Sequence, residues 1–395
     1  MRTKQTSDVK QQGFLLAACL LMTLCLGSVH GFSIFLEQIE SQLEVSRFAS
    51  SLVYSLALAS ITLAVFVGHW IFRAFSAPLV VAVAIGLTVL GFFVATQVTG
   101  YSAFLVGYGF IFGFANGMGY ALAIHLCGTR FKENKGLAIG IVTAVYPVGA
   151  MITSFAAAPW LEHVSVKVIL GYQGMLIVGC LVLAMIVLFF LSKGETQEKH
   201  HSSATPIFNR VEKNLVVRLF LAYGFGVFAG LMVIGHASGM MRDSGGSLQF
   251  AAFAIVAVSA GNILGGLIGG GLADKFSPRS AFLMVLGLSL LALTVLLIGR
   301  SPAAVFVGMA FLGLAYGAYI VVVPTAVSNY FGPEASAKAY GLVFLAWGSA
   351  GILAPGFAGW LYEVAGYFPE TIILAIVFTL AAVILARGLP SSAED

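Results

Sequence analysis

The chain predicts an all-α polytopic membrane protein, with twelve transmembrane helices in two pseudo-symmetric six-helix bundles. Three observations predict it. Of 395 residues, 59% are hydrophobic and 9% charged, and the mean hydropathy is +0.99. That excludes an ordinary soluble domain and a disordered chain. Apolar runs of about 20 residues, the length that crosses a bilayer, recur along the whole sequence. The third observation is a repeat. Gly113-Phe-Ala-Asn-Gly117 running on to Phe131 matches Gly313-Leu-Ala-Tyr-Gly317 running on to Phe331. Other landmarks recur in the same order: Gly68 as Gly270, Gly136-Leu137 as Gly341-Leu342, Trp160-Leu161 as Trp360-Leu361, and Gly171-Tyr172 as Gly366-Tyr367. In a membrane protein, two similar halves place a substrate path on the axis between them.

The twelve spans fall at 13–36, 49–69, 78–98, 102–127, 136–158, 168–192, 215–239, 248–272, 281–299, 302–327, 341–362 and 368–387. The first has too long an apolar core for a cleaved signal peptide and no clean small-residue cleavage site. Of the 20 Lys and Arg residues, Arg47, Lys167, Arg242 and Arg300 fall in one set of loops and all the others in the opposite set. The basic set marks the cytoplasmic face, so both termini are expected there, in a plasma (inner) membrane. The net charge of +4 is then a topology signal and not a nucleic-acid footprint. The polar stretch 193–214 separates six spans from six. It reads as a cytoplasmic linker between an N-terminal bundle, 1–192, and a C-terminal bundle, 215–395. Cys19, Cys25, Cys127 and Cys180 all lie within spans without paired spacing, and read as packing residues.

The loop after the eighth span reads Gly270-Gly-Leu-Ala-Asp274-Lys275-Phe-Ser-Pro-Arg279. It resembles the inner-loop signature of the major facilitator superfamily. A carboxylate there can cap a neighbouring helix and pair with nearby bases, so Arg73, Asp274, Lys275 and Arg279 are the expected cytoplasmic gate. The loop after span 2 departs from the pattern, with Phe72 where the carboxylate is expected. A narrower resemblance, to the oxalate/formate antiporters and the related monocarboxylate transporters, lies in Tyr330–Pro355, in Arg130-Phe-Lys-Glu-Asn-Lys135-Gly-Leu-Ala-Ile-Gly and in Gly31-Phe-Ser-Ile-Phe. It implies a Lys in span 11 and an Arg in span 8 holding a dicarboxylate. Here Trp347 stands at the Lys position, and span 8 carries neither Arg nor Lys. A buried dianion without compensating cations stays in water.

No Asp or Glu lies near the middle of any span, so a midspan carboxylate proton carrier is missing. Polar groups inside hydrocarbon are expensive and mark function. The superfamily resemblance implies that spans 1, 4, 7 and 10 line a central cavity. The expected substrate-binding set is His30, Asn116, Tyr120, His236, Asn262, Tyr316, Tyr319 and Trp347. Asn116 and Tyr120 share a helix face, as do Tyr316 and Tyr319. His125 is out of phase with Asn116 and reads as an inner-end residue. His30 and His236 occupy corresponding spans, and each precedes an acidic residue, Glu37 or Asp243, by seven positions on one α-helical stripe. They are the proton-coupling candidates. Pro147, Pro324 and Pro355 interrupt spans 5, 10 and 11 and are hinge candidates.

Enzyme constellations are not expected. The glycine-rich runs have no preceding strand and no P-loop lysine, so neither catalysis nor ATP-driven transport is read here. No cofactor or metal is expected: His200-His201 is a two-residue pair in a linker, and Met240-Met241 has no thiolate or carboxylate cluster beside it. The function expected is a secondary active or facilitative transporter, working as a monomer in the lipid bilayer by alternating access. Its substrate is a small organic anion, monocarboxylate-like, or a polar metabolite, moved with a coupled proton or an exchanged anion. The alternatives are an exporter of a larger amphipathic compound such as a drug or siderophore, and a non-transporting sensor or structural partner on the same fold.

Overall fold

The computed structural model describes residues 2–131, 135–192, 209–299 and 301–391. The described residues are helical, and no strand occurs among them. Among the described residues, twelve helices are long and apolar enough to cross a membrane: span 1, Gln11–Leu43; span 2, Arg47–Gly68; span 3, Ala77–Gln97; span 4, Tyr101–Arg130; span 5, Leu137–Ala157; span 6, Val166–Leu191; span 7, Glu212–Asp243; span 8, Leu248–Lys275; span 9, Pro278–Ile298; span 10, Pro302–Gly332; span 11, Lys338–Ala365; and span 12, Pro369–Arg387. The count is that expected from hydropathy. Most of the proposed linker, with His200-His201, lies outside the described residues, as do Lys132 and Arg300.

Local chemistry explains where several spans begin and end. Span 7 starts in a reciprocal capping box in which the Asn209 side chain accepts from the Glu212 N–H and the Glu212 carboxylate accepts from the Asn209 N–H. Ser247, Ser277 and Ser301 cap spans 8, 9 and 10, the last two with proline in the first turn. Spans 10 and 11 run on through Gly332, whose φ of 66° and ψ of 178° suit only glycine. Gly366, at φ 81°, ends span 11 in the left-handed conformation.

Contacts divide the chain into two units. The first is Met1–Gly31 with Leu56–His200, and the second is Phe32–Ser55 with His201–Asp395. The hairpin formed by the end of span 1 and the start of span 2 therefore belongs with the second unit, although the rest of both spans belongs with the first.

The glycine repeat is a packing seam that each unit builds in the same way. In the first unit, a Cβ on Gly113 or Gly117 of span 4 would meet the backbone of Ala57 or Ile61 in span 2, at 2.8 and 2.4 Å. In the second, Gly313 and Gly317 of span 10 would meet the carbonyl oxygens of Val258 and Asn262 in span 8, at 2.1 and 1.9 Å. Gly261, Gly265 and Gly269 of span 8 return the contact against Ala310, Leu314 and Ala318. In lipid, where apolar burial drives little association, this close approach of backbones supplies the packing.

Among the described residues, helical geometry departs from the α form at two places, in spans 1 and 4. Gly27–Phe35 of span 1 is a 3-10 helix, and Leu105–Phe112 of span 4 is a π-helix. Both forms run for only a turn or so in ordinary helices and mark hinges or functional positions. The prolines do not break their spans: helix continues on both sides of Pro147, Pro324 and Pro355. The four cysteines are free thiols. The Cys25 Sγ donates within its own helix, to the Met22 carbonyl at 3.2 Å.

Candidate functional site

The first unit brings His30, Asn116 and Tyr120 together around a residue not expected in the set, Tyr146. Asn116 is fully buried. Its Nδ2 donates to the Leu26 carbonyl at 2.7 Å, and its Oδ1 accepts from the Tyr146 hydroxyl at 2.8 Å. Leu26 is the last residue of span 1 before the 3-10 segment, where the backbone bonding pattern changes, and the Asn116 amide supplies that carbonyl with a donor. The ring of His30, 8% exposed, stands edge-on to Tyr146 with centroids 5.2 Å apart. Tyr120 packs against the same ring at 5.0 Å. Tyr146 is reached because spans 1 and 5 run in backbone contact at Gly27 and Gly149. Its signal in the sequence was a midspan hydroxyl directly before Pro147.

The second unit holds the aromatic members. Trp347 Nε1 donates to the Tyr316 hydroxyl at 2.8 Å, and Phe344 stacks on Trp347 with centroids 5.5 Å apart. Tyr316 lies over Gly230 of span 7, where any Cβ would meet its ring at 2.5 Å. Tyr319 turns elsewhere: its hydroxyl sits 3.4 Å from Ser289 and its ring packs on Phe282, both in span 9. Asn262 sits at the Gly317 seam. His236 is completely buried, and its Nε2 lies 2.9 Å from the Pro355 carbonyl. A carbonyl only accepts, so that nitrogen carries the proton and the ring ties span 7 to span 11. His125 is exposed and packs its ring 5.2 Å from that of Phe72.

The α-helical stripe from His30 to Glu37 does not survive. Through the 3-10 segment each residue turns about 120° rather than about 100°, so Glu37 swings off the histidine face. It pairs instead with Arg242, Nε to Oε1 at 2.8 Å. The second acidic partner, Asp243, accepts from the Tyr362 hydroxyl at 3.0 Å. Glu40 takes Arg47 at 2.6 Å and the Ser50 hydroxyl at 2.7 Å. The Arg47 guanidinium lies 4.8 Å over the Tyr362 ring. All of these residues belong to the second unit.

At the other end of span 8, Asp274 and Lys275 are exposed. Neither they nor Arg73 and Arg279 take part in an ion pair among the described residues. Two of the four basic residues that depart from the charge bias, Arg47 and Arg242, are in ion pairs among the described residues. A legible signal was present, since Arg47 and Arg242 each sit within a few residues of a carboxylate, Glu44 and Asp243.

No group of three or more His, Cys, Asp or Glu able to hold a metal occurs among the described residues. The profile of the Major Facilitator Superfamily matches residues 16–237 and 219–394. The Escherichia coli (strain K12) protein described as an uncharacterized MFS-type transporter, YhjX, is 26% identical over 348 residues, covering 85% of each chain. Monocarboxylate transporter 11 of Mus musculus is 26% identical over 395 residues, covering 95% of this chain and 86% of its own. Among solved structures, a bacterial homolog of the human lysosomal transporter Spinster, in an inward-facing and occupied conformation, superposes with a TM-score of 0.72. It is 18% identical and covers 94% of this chain and 95% of its own. A point mutant of the nucleoside transporter NupG gives a TM-score of 0.70 at 15% identity, covering 95% of this chain and 98% of its own. At those identities the superpositions speak for the fold, and with the profile match across both halves they place this chain in the Major Facilitator Superfamily of membrane transporters.

Proposed function

We propose that the chain moves a small organic anion, monocarboxylate-like, or a polar metabolite by alternating access, as a secondary active or facilitative transporter. One observation carries the substrate class. The polar groups gathered inside the first unit are neutral hydrogen-bonding groups, with His30 edge-on to Tyr146 beside the Asn116–Tyr146 bond, and the charged residues of every span sit near its ends. A dianion there would lack two compensating cations, whereas a monoanion needs one charge, which a protonated imidazole supplies. The resemblance to a monocarboxylate transporter supports the same class.

Within this reading His30 is the charge-bearing residue. Tyr120, Tyr146, Tyr316 and Trp347 supply hydrogen bonds and aromatic faces, and Asn116 positions Tyr146. His236, with its ring committed to Pro355, is the weaker coupling candidate. The charge bias of the loops supports both termini on the cytoplasmic side of the plasma (inner) membrane.

In proteoliposomes, saturable uptake of a monocarboxylate is expected, with little competition from dicarboxylates or bulky hydrophobes. His30→Ala is expected to lower that uptake by about tenfold or more, the scale of one lost charged hydrogen bond, whereas His236→Ala is expected to lower melting temperature more than substrate affinity. Uptake that follows an imposed pH gradient in the parent and not in His30→Ala supports proton coupling at that residue. Efflux of bulky amphipaths with indifference to carboxylates overturns the substrate class, and equal gradient response in both proteins overturns the coupling role.

A further inference from the structure

The geometry points to a binding site for one anionic phospholipid on the first unit, with an acyl chain in a groove between spans 3 and 6 and the phosphate at Arg73. The site lies on the lipid-facing surface, apart from the polar residues described above, and it does not depend on what the chain transports.

The groove is the first ground. Spans 3 and 6 pack closely at Gly174, where an added Cβ would lie 2.6 Å from the Phe92 ring. About 20 Å away along the same two helices, at the start of span 3 and the end of span 6, they leave a groove of about 350 Å³. Pro78, Met185, Ile186, Phe189 and Phe190 line it. The four residues of span 6 lie one turn apart in pairs and share one face of that helix. Ile186, Phe189 and Phe190 are exposed. On a membrane-crossing helix such a face is covered by hydrocarbon, and a concave surface buries more of one chain than a flat one does.

The second ground is depth. The helix of span 2 continues to Ala74, with Arg73 in its last turn. Phe75 and Ser76 then join it to span 3, whose second residue is Pro78. The mouth of the groove is therefore five residues from Arg73, across a short turn. Trp70 is 56% exposed, the placement of a tryptophan at the boundary between acyl chains and headgroups. Arg73 follows it on the headgroup side.

The third ground is charge. Arg73 is exposed and makes no ion pair among the described residues. Spans 2, 3, 4 and 6 contain no Asp or Glu. Arg130, in the last turn of span 4, adds a second positive charge at the same end of the unit. Ser76 stands at the N-cap of span 3 without a side-chain cap bond, so the first N–H groups of that span have no side-chain acceptor there. A phosphate beside Arg73 meets a planar guanidinium that matches its oxygens and adds negative charge where a helix begins. A basic surface at headgroup level favours a lipid of net negative charge over a zwitterionic one.

The experiment titrates the full-length, delipidated protein in detergent with phosphatidylglycerol or with phosphatidylcholine of identical chains. Native mass spectrometry counts the lipids bound. The first phosphatidylglycerol is expected to bind about fivefold more tightly than the first phosphatidylcholine, the scale of one basic residue at an anionic surface. Arg73→Gln is expected to remove that preference and Arg73→Lys to keep part of it. Arg387→Gln, at the end of span 12, is expected to leave it intact. Ile186→Trp fills the groove, and is expected to weaken the first site for both lipids about fivefold with no loss of melting temperature. Equal affinity of the parent for the two lipids overturns the site, as does an equal loss of preference in Arg73→Gln and Arg387→Gln. Unchanged lipid binding in Ile186→Trp overturns the groove. A dimer that persists without lipid and is broken by Ile186→Trp gives the groove to a second copy of the chain and overturns the lipid. No substrate enters the measurement, so failure here leaves the transport reading standing, and failure of that reading leaves the lipid site.

Discussion

Gly27→Ala is expected to lose most of the folded, monodisperse protein. Spans 1 and 5 touch backbone to backbone there, and a Cβ on Gly27 would sit 1.8 Å from the Tyr146 carbonyl oxygen. That neighbour is not the free end of a side chain that can rotate aside. It belongs to span 5, which is also anchored to span 1 at Gly149, where a Cβ would lie 2.0 Å from the Leu24 carbonyl. Overpacking a core by a methyl costs about 1–3 kcal/mol where neighbours can adjust, and here a whole helix has to shift. The shift would also drag Tyr146 off Asn116 and His30, so uptake should fall together with melting temperature. Gly179→Ala in span 6 is the matched control. No atom lies within 4 Å of its added Cβ, so the expected effect is neutral or slightly stabilising. Melting curves of the two variants in one detergent decide the matter. Equal loss in both, or none in Gly27→Ala, would show that spans 1 and 5 are not packed as described.

This contact shows what the sequence could and could not disclose. The count of spans was legible, because hydrocarbon leaves a chain no option but long apolar helices with internally satisfied backbone. The repeat was legible for a related reason. A glycine seam needs glycine at each crossing, so Gly113, Gly117, Gly313 and Gly317 read directly as paired packing positions. Spacing along a sequence assumes one helical period, however, and span 1 changes period at Gly27. His30 and Glu37 leave their common stripe for that reason alone. Phe32–Ser55 was hidden for another. Hydropathy assigns a residue to a span, and says nothing of which neighbours that span keeps along its length.

Sites follow the same division. His30, Asn116, Tyr120, Tyr316 and Trp347 were legible as individual residues, since a polar group in an apolar run stands out. Their partners were not. Tyr146 lies 30 positions from Asn116 and Trp347 lies 31 from Tyr316, separations at which no local pattern operates. Arg47 and Arg242 were visible as exceptions to the charge bias. Their carboxylate neighbours were also visible, but joining Glu37 to Arg242 required a contact between distant parts of the chain.

Asn116→Asp is expected to be at least as damaging as Asn116→Ala, although aspartate nearly matches asparagine in shape. The Asn116 amide does two opposite things at once. It donates to the Leu26 carbonyl at 2.7 Å and accepts from the Tyr146 hydroxyl at 2.8 Å. A carboxylate keeps the second bond and loses the first, because it has no proton to give. It then holds a negative charge against a carbonyl oxygen in a fully buried place, and spans 1, 4 and 5 carry no Lys or Arg at that depth. Alanine leaves the Leu26 carbonyl and the Tyr146 hydroxyl unpaired, a penalty of about 1–3 kcal/mol for each buried group, but adds no repulsion. Asn116→Gln restores both functions on a longer arm and serves as the conservative variant. The expected order of melting temperature is parent, Asn116→Gln, Asn116→Ala, Asn116→Asp, and uptake should follow it. An aspartate variant as stable as the parent would mean that Leu26 does not depend on this donor. The break in span 1 would then be held by its packing against span 5 and not by the amide.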